Sequence, residues 1–448
     1  MKLPSKEPEI SVGITSDKQI NFELYGDFKS GNSNDEFSGR FSAEIINDKI
    51  SFKRGSEKYE AQDNVIFVPQ DIETESFLVK DVTIGKKFHW ERKEKQRFIG
   101  TLKLIKDNGK LTVINILPLE KYLVSVISSE MSAKSSLQLL KAHAIVSRSW
   151  LLSNIKSRTL KTKSSFGEFH ETGSEYIKWY SREEHEHFDV CADDHCQRYQ
   201  GITKISSEGA RKAVEQTNGI VLLYDNSICD ARYSKSCGGV TESFENVWEP
   251  VKYDYLTSIV DYKFDQDNYN IDFSSEQNVR KWIVSNPPAF CNTKDDTILN
   301  QVLPAFDQET KDFYRWKVEY SQEEISSIIK TKSGYDFGNI IDLVPVERGA
   351  SGRLVILKIV GSDKSLVVGK ELEIRKYLSL SHLYSSAFVV DRLDVKENIP
   401  GKFLIRGAGW GHGVGMCQIG AAVMSQQGYQ FDEILLHYFK DVKLKKLY

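Results

Sequence analysis

Proline is scarce in this chain, 10 residues in 448, and cysteine scarcer still, at 6. Six cysteines in a chain this long exclude a small disulfide-stapled scaffold. An isolated cysteine in a large domain is more often a small buried apolar residue than a reactive thiol, and Cys229, Cys237, Cys291 and Cys417 are scattered in that way. No run of about 18 apolar residues is present, so no transmembrane helix is expected. No surplus of one charge exists either: 60 Lys and Arg stand against 63 Asp and Glu, a formal net charge of −3. Phosphate neutralisation needs a cationic excess or a dense basic face, so a general nucleic-acid binder is excluded. Met1 to Lys6 lack the apolar stretch of a secretory signal, which fits either a cytosolic chain or one whose leader has been removed. What is abundant is aromatic: 20 Tyr, 23 Phe and 7 Trp, enough for a large core.

The first 117 residues or so read as strands. Ile10–Ile14 and Ile20–Leu24 alternate at period two. Residues 65–68, 98–102 and 111–114 continue the pattern, and Asn108-Gly109 marks a hairpin. At Pro118 the period changes. Leu119, Tyr122, Leu123, Val126 and Ile127 form a helical stripe, with proline suited to the first turn. A second helix follows, capped by Ser135 or Ser136. Residues 156–200 are polar and read as a long excursion. Strands are expected over 214–224 and 228–234, an insertion over about 264–330, and a buried hairpin over 354–368. A glycine-rich loop and two helices close the chain. The fold class expected is α+β: a mixed, mainly antiparallel sheet with packed helices, plus an N-terminal β-rich lobe. The domains expected are that lobe at 1–109, a core at 110–262 and 335–448, and an insertion at 263–334.

Four segments hold candidates for chemistry. Glu130 continues the apolar stripe. Desolvation raises the pKa of a carboxyl group, which suits a general acid at neutral pH; the alternative is a buried ion pair with Arg148 or Lys141. The Gly407–Gln418 loop alternates glycine with Trp410, His412 and Val414, which lets backbone approach a ligand, or simply makes a turn packed by Trp410. It lacks the spacing of a nucleotide-binding fingerprint. Residues 185–196 gather three histidines and two cysteines, a zinc-ligand composition. Cys191, Cys196 and His185 are the first candidates, with His195 or His187 beyond them. The alternatives are a Cys191–Cys196 disulfide or plain surface histidines. Tyr233–Glu242 contains a Cys-Gly-Gly turn at a strand end, a common place for a site loop and equally for a hairpin.

Together these segments resemble the stage II sporulation protein D family, the SpoIID/LytB proteins that act on peptidoglycan. The resemblance rests on Leu117–Leu123 and Ser129-Glu130-Met131, on Leu140–Trp150, on the Asp189–Gln197 segment, on Cys237-Gly238-Gly239 and on Gly409–Gly415, in that order. It implies lytic transglycosylase chemistry on glycan strands, preferably strands stripped of stem peptides, with Glu130 as the catalytic acid. It implies a zinc site near the groove, an element matched here by Cys191 and Cys196 and by His185. Arg148, Tyr233, Ser234, Lys235, Ser236, His412 and Gln418 would line the groove. The sequence departs from the family pattern at Ser234 to Cys237, where the usual "HSTS" is replaced, and at His143, where glutamine is usual. A cell-envelope location follows from the substrate. The alternative functions are a non-catalytic enhancer of a cell-wall amidase, which implies a protein partner, and a glycan-binding module.

Overall fold

The computed structural model describes residues 3–31, 35–85, 91–132, 134–159, 169–180, 185–193, 196–203, 208–263, 271–302 and 310–448. They form two compact units: Met1–Ala133 with Glu184–Ile220 and Lys446–Tyr448, and Lys134–Glu183 with Val221–Lys445. The α+β class holds. Among the described residues no helix is long and apolar enough to cross a membrane.

The first unit is built on ten strands in chain order: β1 (Glu9–Asp17), β2 (Gln19–Ser30), β3 (Glu36–Ile46), β4 (Lys49–Arg54), β5 (Glu57–Ala61), β6 (Asn64–Pro69), β7 (Ser76–Ile84), β8 (Arg92–Phe98), β9 (Thr101–Asp107) and β10 (Lys110–Pro118). One sheet runs β1-β10-β9-β6-β2-β3-β4-β5, with β7 and β8 branching from β2. β2 makes the branch by changing partner. Phe22–Tyr25 pair with β7, and after a break in register Phe28–Ser30 pair with β6. Alternating apolar side chains then meet inside: Phe22 stacks on Phe41 at 5.2 Å, and Phe37, Phe52 and Phe67 close round them. The β9–β10 hairpin turns at Asn108 and Gly109, both at positive φ, as this dipeptide demands. The boundary expected near 109 therefore falls inside a paired hairpin, and the β region runs straight into helix α1 (Leu119–Glu130).

Three sequence expectations give way. The strand expected over 98–102 is split in two: Phe98 ends β8, Thr101-Leu102 open β9, and Ile99-Gly100 turn between them, where Gly100 has φ +88° and a Cβ would lie 2.4 Å from the Ile116 carbonyl oxygen. The strand expected over 214–224 starts only at Ile220, because Ala210, Ala213 and Val214 lie on one buried face of the helix Glu208–Gln216. The stretch 264–330 is no detached insertion. Its last strand, Arg315–Ser321, pairs along its whole length with Lys402–Ala408, which also pairs with Phe388–Leu393.

The second unit holds that three-stranded sheet and a five-stranded one, ordered Phe169–Glu171, Glu175–Lys178, Ser365–Gly369, Leu354–Gly361, Ile340–Arg348. The expected 354–368 hairpin is its centre. Trp316, Ile329, Leu343, Leu357, Ile374 and Ile405 fill the space between sheets and helices. Helix α2 (Leu137–Thr159) starts where Ser136 Oγ accepts from Leu139 N–H, and packs against the helices Gln418–Gln426 and Phe431–Tyr438.

In the first unit, Tyr199 is fully enclosed. Its ring stacks on Tyr122 and Phe98, and its hydroxyl donates to Asn115 Oδ1 at 2.5 Å. Tyr199→Phe strands that buried oxygen and is expected to cost about 1–3 kcal/mol in urea unfolding followed by circular dichroism. A midpoint equal to wild type would show that the bond contributes nothing.

Candidate functional site

Glu130 is the last residue of α1. The helix buries Leu119, Tyr122, Leu123, Val126 and Ile127, and ends as Met131 N–H donates back to the Ile127 carbonyl. Glu130 itself is half-buried, so the desolvation expected from its place on the stripe is only partial. One carboxylate oxygen is fixed: Arg198 N–H donates to Oε1 at 3.1 Å. The segment supplying that N–H lies along the helix. Tyr122 Oη donates to Gln197 Oε1 at 3.2 Å, Ser125 Oγ donates to the Gly201 carbonyl at 2.7 Å, and Tyr199 is locked as above. The half-buried carboxylate thus has a rigid mount.

The same segment begins at Cys196, one of three candidate ligands that the fold brings together. His185 Nε2 lies 3.3 Å from Cys196 Sγ, and the ligand atoms of His185, Cys191 and Cys196 all lie within 4.8 Å of one another. Backbone holds them there. Val190–Cys191 adds a short parallel strand to β1, and Asp189 accepts from both the N–H and the hydroxyl of Ser11. Both cysteines are free thiols, which removes the disulfide alternative. Two thiolates and an imidazole fit zinc, and these three half-buried side chains are the ligand set found here among the described residues. His187 turns instead toward Asp107, 3.9 Å away. His195 lies outside the described residues.

In the second unit the two loops singled out by sequence are one structure. Tyr233-Ser234 pairs in parallel with Met416-Cys417, and Ser236 and Trp410 exchange backbone hydrogen bonds. Gly409, Gly411, Gly413 and Gly415 all have positive φ. Their missing side chains are needed for close packing: a Cβ on Gly413 would lie 2.4 Å from Arg353 Cζ, and one on Gly415 2.2 Å from the Arg232 carbonyl oxygen.

This packing corrects much of the expected groove lining. Arg148 and Ser236 are fully buried, and Ser234 and Gln418 nearly so. These four side chains belong to the interior. Gln418 Nε2 donates to His143 Nε2 at 3.0 Å, so the neutral ring turns its Nδ1–H to Ser147 Oγ, 3.3 Å away. The half-buried Lys235 donates to the Val302 carbonyl, and the half-buried Tyr233 lies against the His143 ring at 4.5 Å. His412 is half-buried and occupied at both nitrogens. Nδ1 accepts from Val414 N–H at 3.0 Å, and the other nitrogen bonds the Tyr233 backbone. His412 is a strut of its own loop. Glu242, which sequence reading passed over as part of a turn, is the anchor of this region. It is almost fully buried and accepts from Ser243, Ala350 and Ser351 N–H and from Ser351 Oγ. Only its contacts across 108 or 109 residues reveal it.

Residues 107–224, which contain α1, α2 and the His185–Cys196 loop, match the family model described as Stage II sporulation protein. The chain thus carries a region similar to the stage II sporulation protein D family. Residues 242–415 match a second model, a domain of unknown function, which runs continuously across the expected insertion. Relatives include an uncharacterized protein of Brachyspira hyodysenteriae, 24% identical over 78% of this chain and 72% of its own length. The stage II sporulation protein D of Bacillus amyloliquefaciens is 23% identical over 74% of this chain and 75% of its own. The amidase enhancer of Bacillus subtilis is 24% identical over 72% of this chain, but the match spans only 40% of that longer protein.

Elsewhere in the chain, three histidines are held neutral. Burial pushes His143 down to about 3, helped by the positive charge of Lys235. Burial does the same for His412, beside Arg232 and Arg353, and for His382, beside Arg375. Each folded pKa lies below the ordinary 6.5, so the unfolded chain takes up protons first as pH falls. The stability these groups contribute is complete above about pH 6.5 and is lost toward about pH 3, at up to about 1.4 kcal/mol per pH unit for each. His143→Gln should shallow this slope by one group's share in unfolding measured from pH 7 to pH 4. An unchanged slope would mean that His143 is charged in the folded protein.

Proposed function

We propose that this protein is a lytic transglycosylase of peptidoglycan glycan strands, with Glu130 as the single acid and base. The observation that carries the reading is the half-buried carboxylate at the end of α1, held at one oxygen by Arg198 N–H, in the segment that matches the family model. In the first step the protonated Glu130 gives its proton to the oxygen leaving MurNAc C1. The C1–O bond breaks, the GlcNAc partner departs with a free hydroxyl, and positive charge spreads over C1 and the ring oxygen. In the second step the C6 hydroxyl of the same MurNAc attacks C1, and its proton returns to the Glu130 carboxylate. The product is a 1,6-anhydro end; no water is consumed and the acid is regenerated. One carboxylate suffices because the nucleophile is within the substrate, unlike the paired carboxylates of most glycoside hydrolases.

His185, Cys191 and Cys196 would hold a zinc ion in this scheme. When bound, zinc supplies a positive centre and a cross-link at the start of the segment that mounts Glu130. Cys196 then acts as a positioning residue, two positions before the N–H that Glu130 receives. The substrate places the protein in the cell envelope. The name of the amidase enhancer relative supports a second reading, in which the chain assists a cell-wall amidase without cleaving glycan itself.

The deciding measurement is mass analysis of products from denuded and intact glycan strands. Wild type should yield 1,6-anhydroMurNAc ends, and Glu130→Gln should lose about 10²–10⁴-fold in rate with unchanged folding. Reducing ends alone would favour hydrolysis. No turnover, together with faster action of an added amidase, would favour the enhancer.

A further inference from the structure

Four side chains far apart in sequence converge in the interior of the second unit: Cys237, Asp261, Cys291 and Cys417. All four are almost completely buried, and their ligand atoms lie within 4.8 Å of one another. Cys237 Sγ is 3.1 Å from Asp261 Oδ2 and 3.6 Å from Cys291 Sγ. A disulfide would bring two sulfurs to about 2.05 Å and leave the third thiol and the carboxylate unexplained; all are free thiols. Buried cysteines often act as small apolar residues. Apolar packing, however, does not place a carboxylate among the sulfurs or aim backbone N–H groups at them. Here Cys237 N–H and Gly420 N–H point at Cys417 Sγ, at 3.2 and 3.4 Å, and Gly239 N–H points at Cys237 Sγ at 3.4 Å. These are the donors that a thiolate attracts, and Cys417 also caps the N-terminus of the helix Gln418–Gln426.

We propose that Cys237, Asp261, Cys291 and Cys417 form a closed, structural zinc site. A tetrahedral ion with Zn–S of about 2.3 Å sets its sulfurs roughly 3.8 Å apart, close to the Cys237–Cys291 separation. An iron–sulfur cluster places several bridged irons between its cysteines and needs a wider cage. Three sulfurs and one oxygen complete four-coordination from protein alone, which marks a structural site.

The outer contacts fit a metal ligand. Asp261 Oδ1 receives the Tyr438 hydroxyl at 2.8 Å and faces His437 Nε2 at 3.4 Å, so the carboxylate is oriented by neighbours as metal-bound carboxylates are. A Cβ on Gly420 would lie 2.6 Å from Asp261 Oδ2, so glycine keeps the approach open. Two guanidiniums offset the negative charge of the set: Arg353 donates to the Cys237 carbonyl and Arg315 to the Gly238 carbonyl. His437, which faces Asp261, also lines a surface cavity of about 290 Å³. Cys237 and Cys417 stand in the two loops that pair as Tyr233-Ser234 and Met416-Cys417, so the ion would clamp that pair from beneath. The site does not depend on the proposed catalysis.

The test is metal content of the full-length protein purified under reducing conditions. Two zinc ions per chain are expected in wild type. One is expected in Cys191→Ser/Cys196→Ser, retained against a chelator until the protein unfolds. X-ray absorption of that variant should give three sulfurs and one oxygen. Adding Cys291→Ser or Asp261→Asn should remove the remaining zinc and lower the melting temperature. A zinc-free Cys191→Ser/Cys196→Ser variant that still melts cooperatively would overturn the proposal. So would a single wild-type zinc lost on Cys191→Ser, iron in place of zinc, or a Cys237–Cys291 disulfide found by peptide mapping. Because the counts in wild type and in the first-site variant carry the decision, failure of Cys291→Ser to fold does not shield the proposal.

Discussion

Tyr199 is the wedge on which the first unit's candidate site depends. Its ring fills the space between Phe98 and Tyr122, and its hydroxyl closes the hydrogen bonding of the fully buried Asn115, whose amide already donates to the Ile99 carbonyl. Burial without that partner would leave a polar oxygen in a dry space, which is costly. The neighbouring N–H of Arg198 is thereby fixed against Glu130. Thus a catalytic candidate on a helix is steadied by a loop, and the loop by aromatic packing on a sheet. The His185–Cys196 cluster sits at the start of the same loop.

The second unit uses a different device. Its glycine-rich loop folds inward, with alternating positive φ letting the chain press on Arg353 and Arg232. Such density of glycine suggests openness to a ligand when read as sequence. Here the space saved by the missing Cβ atoms is taken by protein. His412, Gln418 and Ser234 become parts of an interior, with His412 and Gln418 satisfied by other groups of the chain. Neutral histidines follow from the same enclosure, since a charged imidazole would be poorly solvated there.

Cysteine has two distinct uses. The pair at 191 and 196 is local, half-buried and joined by one histidine. Cys237, Cys291 and Cys417 are brought together only by tertiary contacts, around a carboxylate that no short motif contains. Spacing rules for metal sites find the first kind, because both thiols lie on one loop. They miss the second, because separations of 54 and 180 residues carry no pattern.

The sequence by itself determined the periodic parts. Alternating runs gave β1, β2 and β6, Asn108-Gly109 gave the hairpin, and the Leu119–Ile127 stripe gave α1 ending at Glu130. Local sterics and one-sided burial are sufficient for each. The family's motifs around Glu130 and Cys191–Cys196 were legible for the same reason, being short and contiguous. What only the tertiary structure decided is which polar side chains face solvent. Arg148, Ser236 and Gln418 look like binding residues in a string and are buried in space. Burial depends on distant segments closing over a residue, and that information is held in no window of sequence around it.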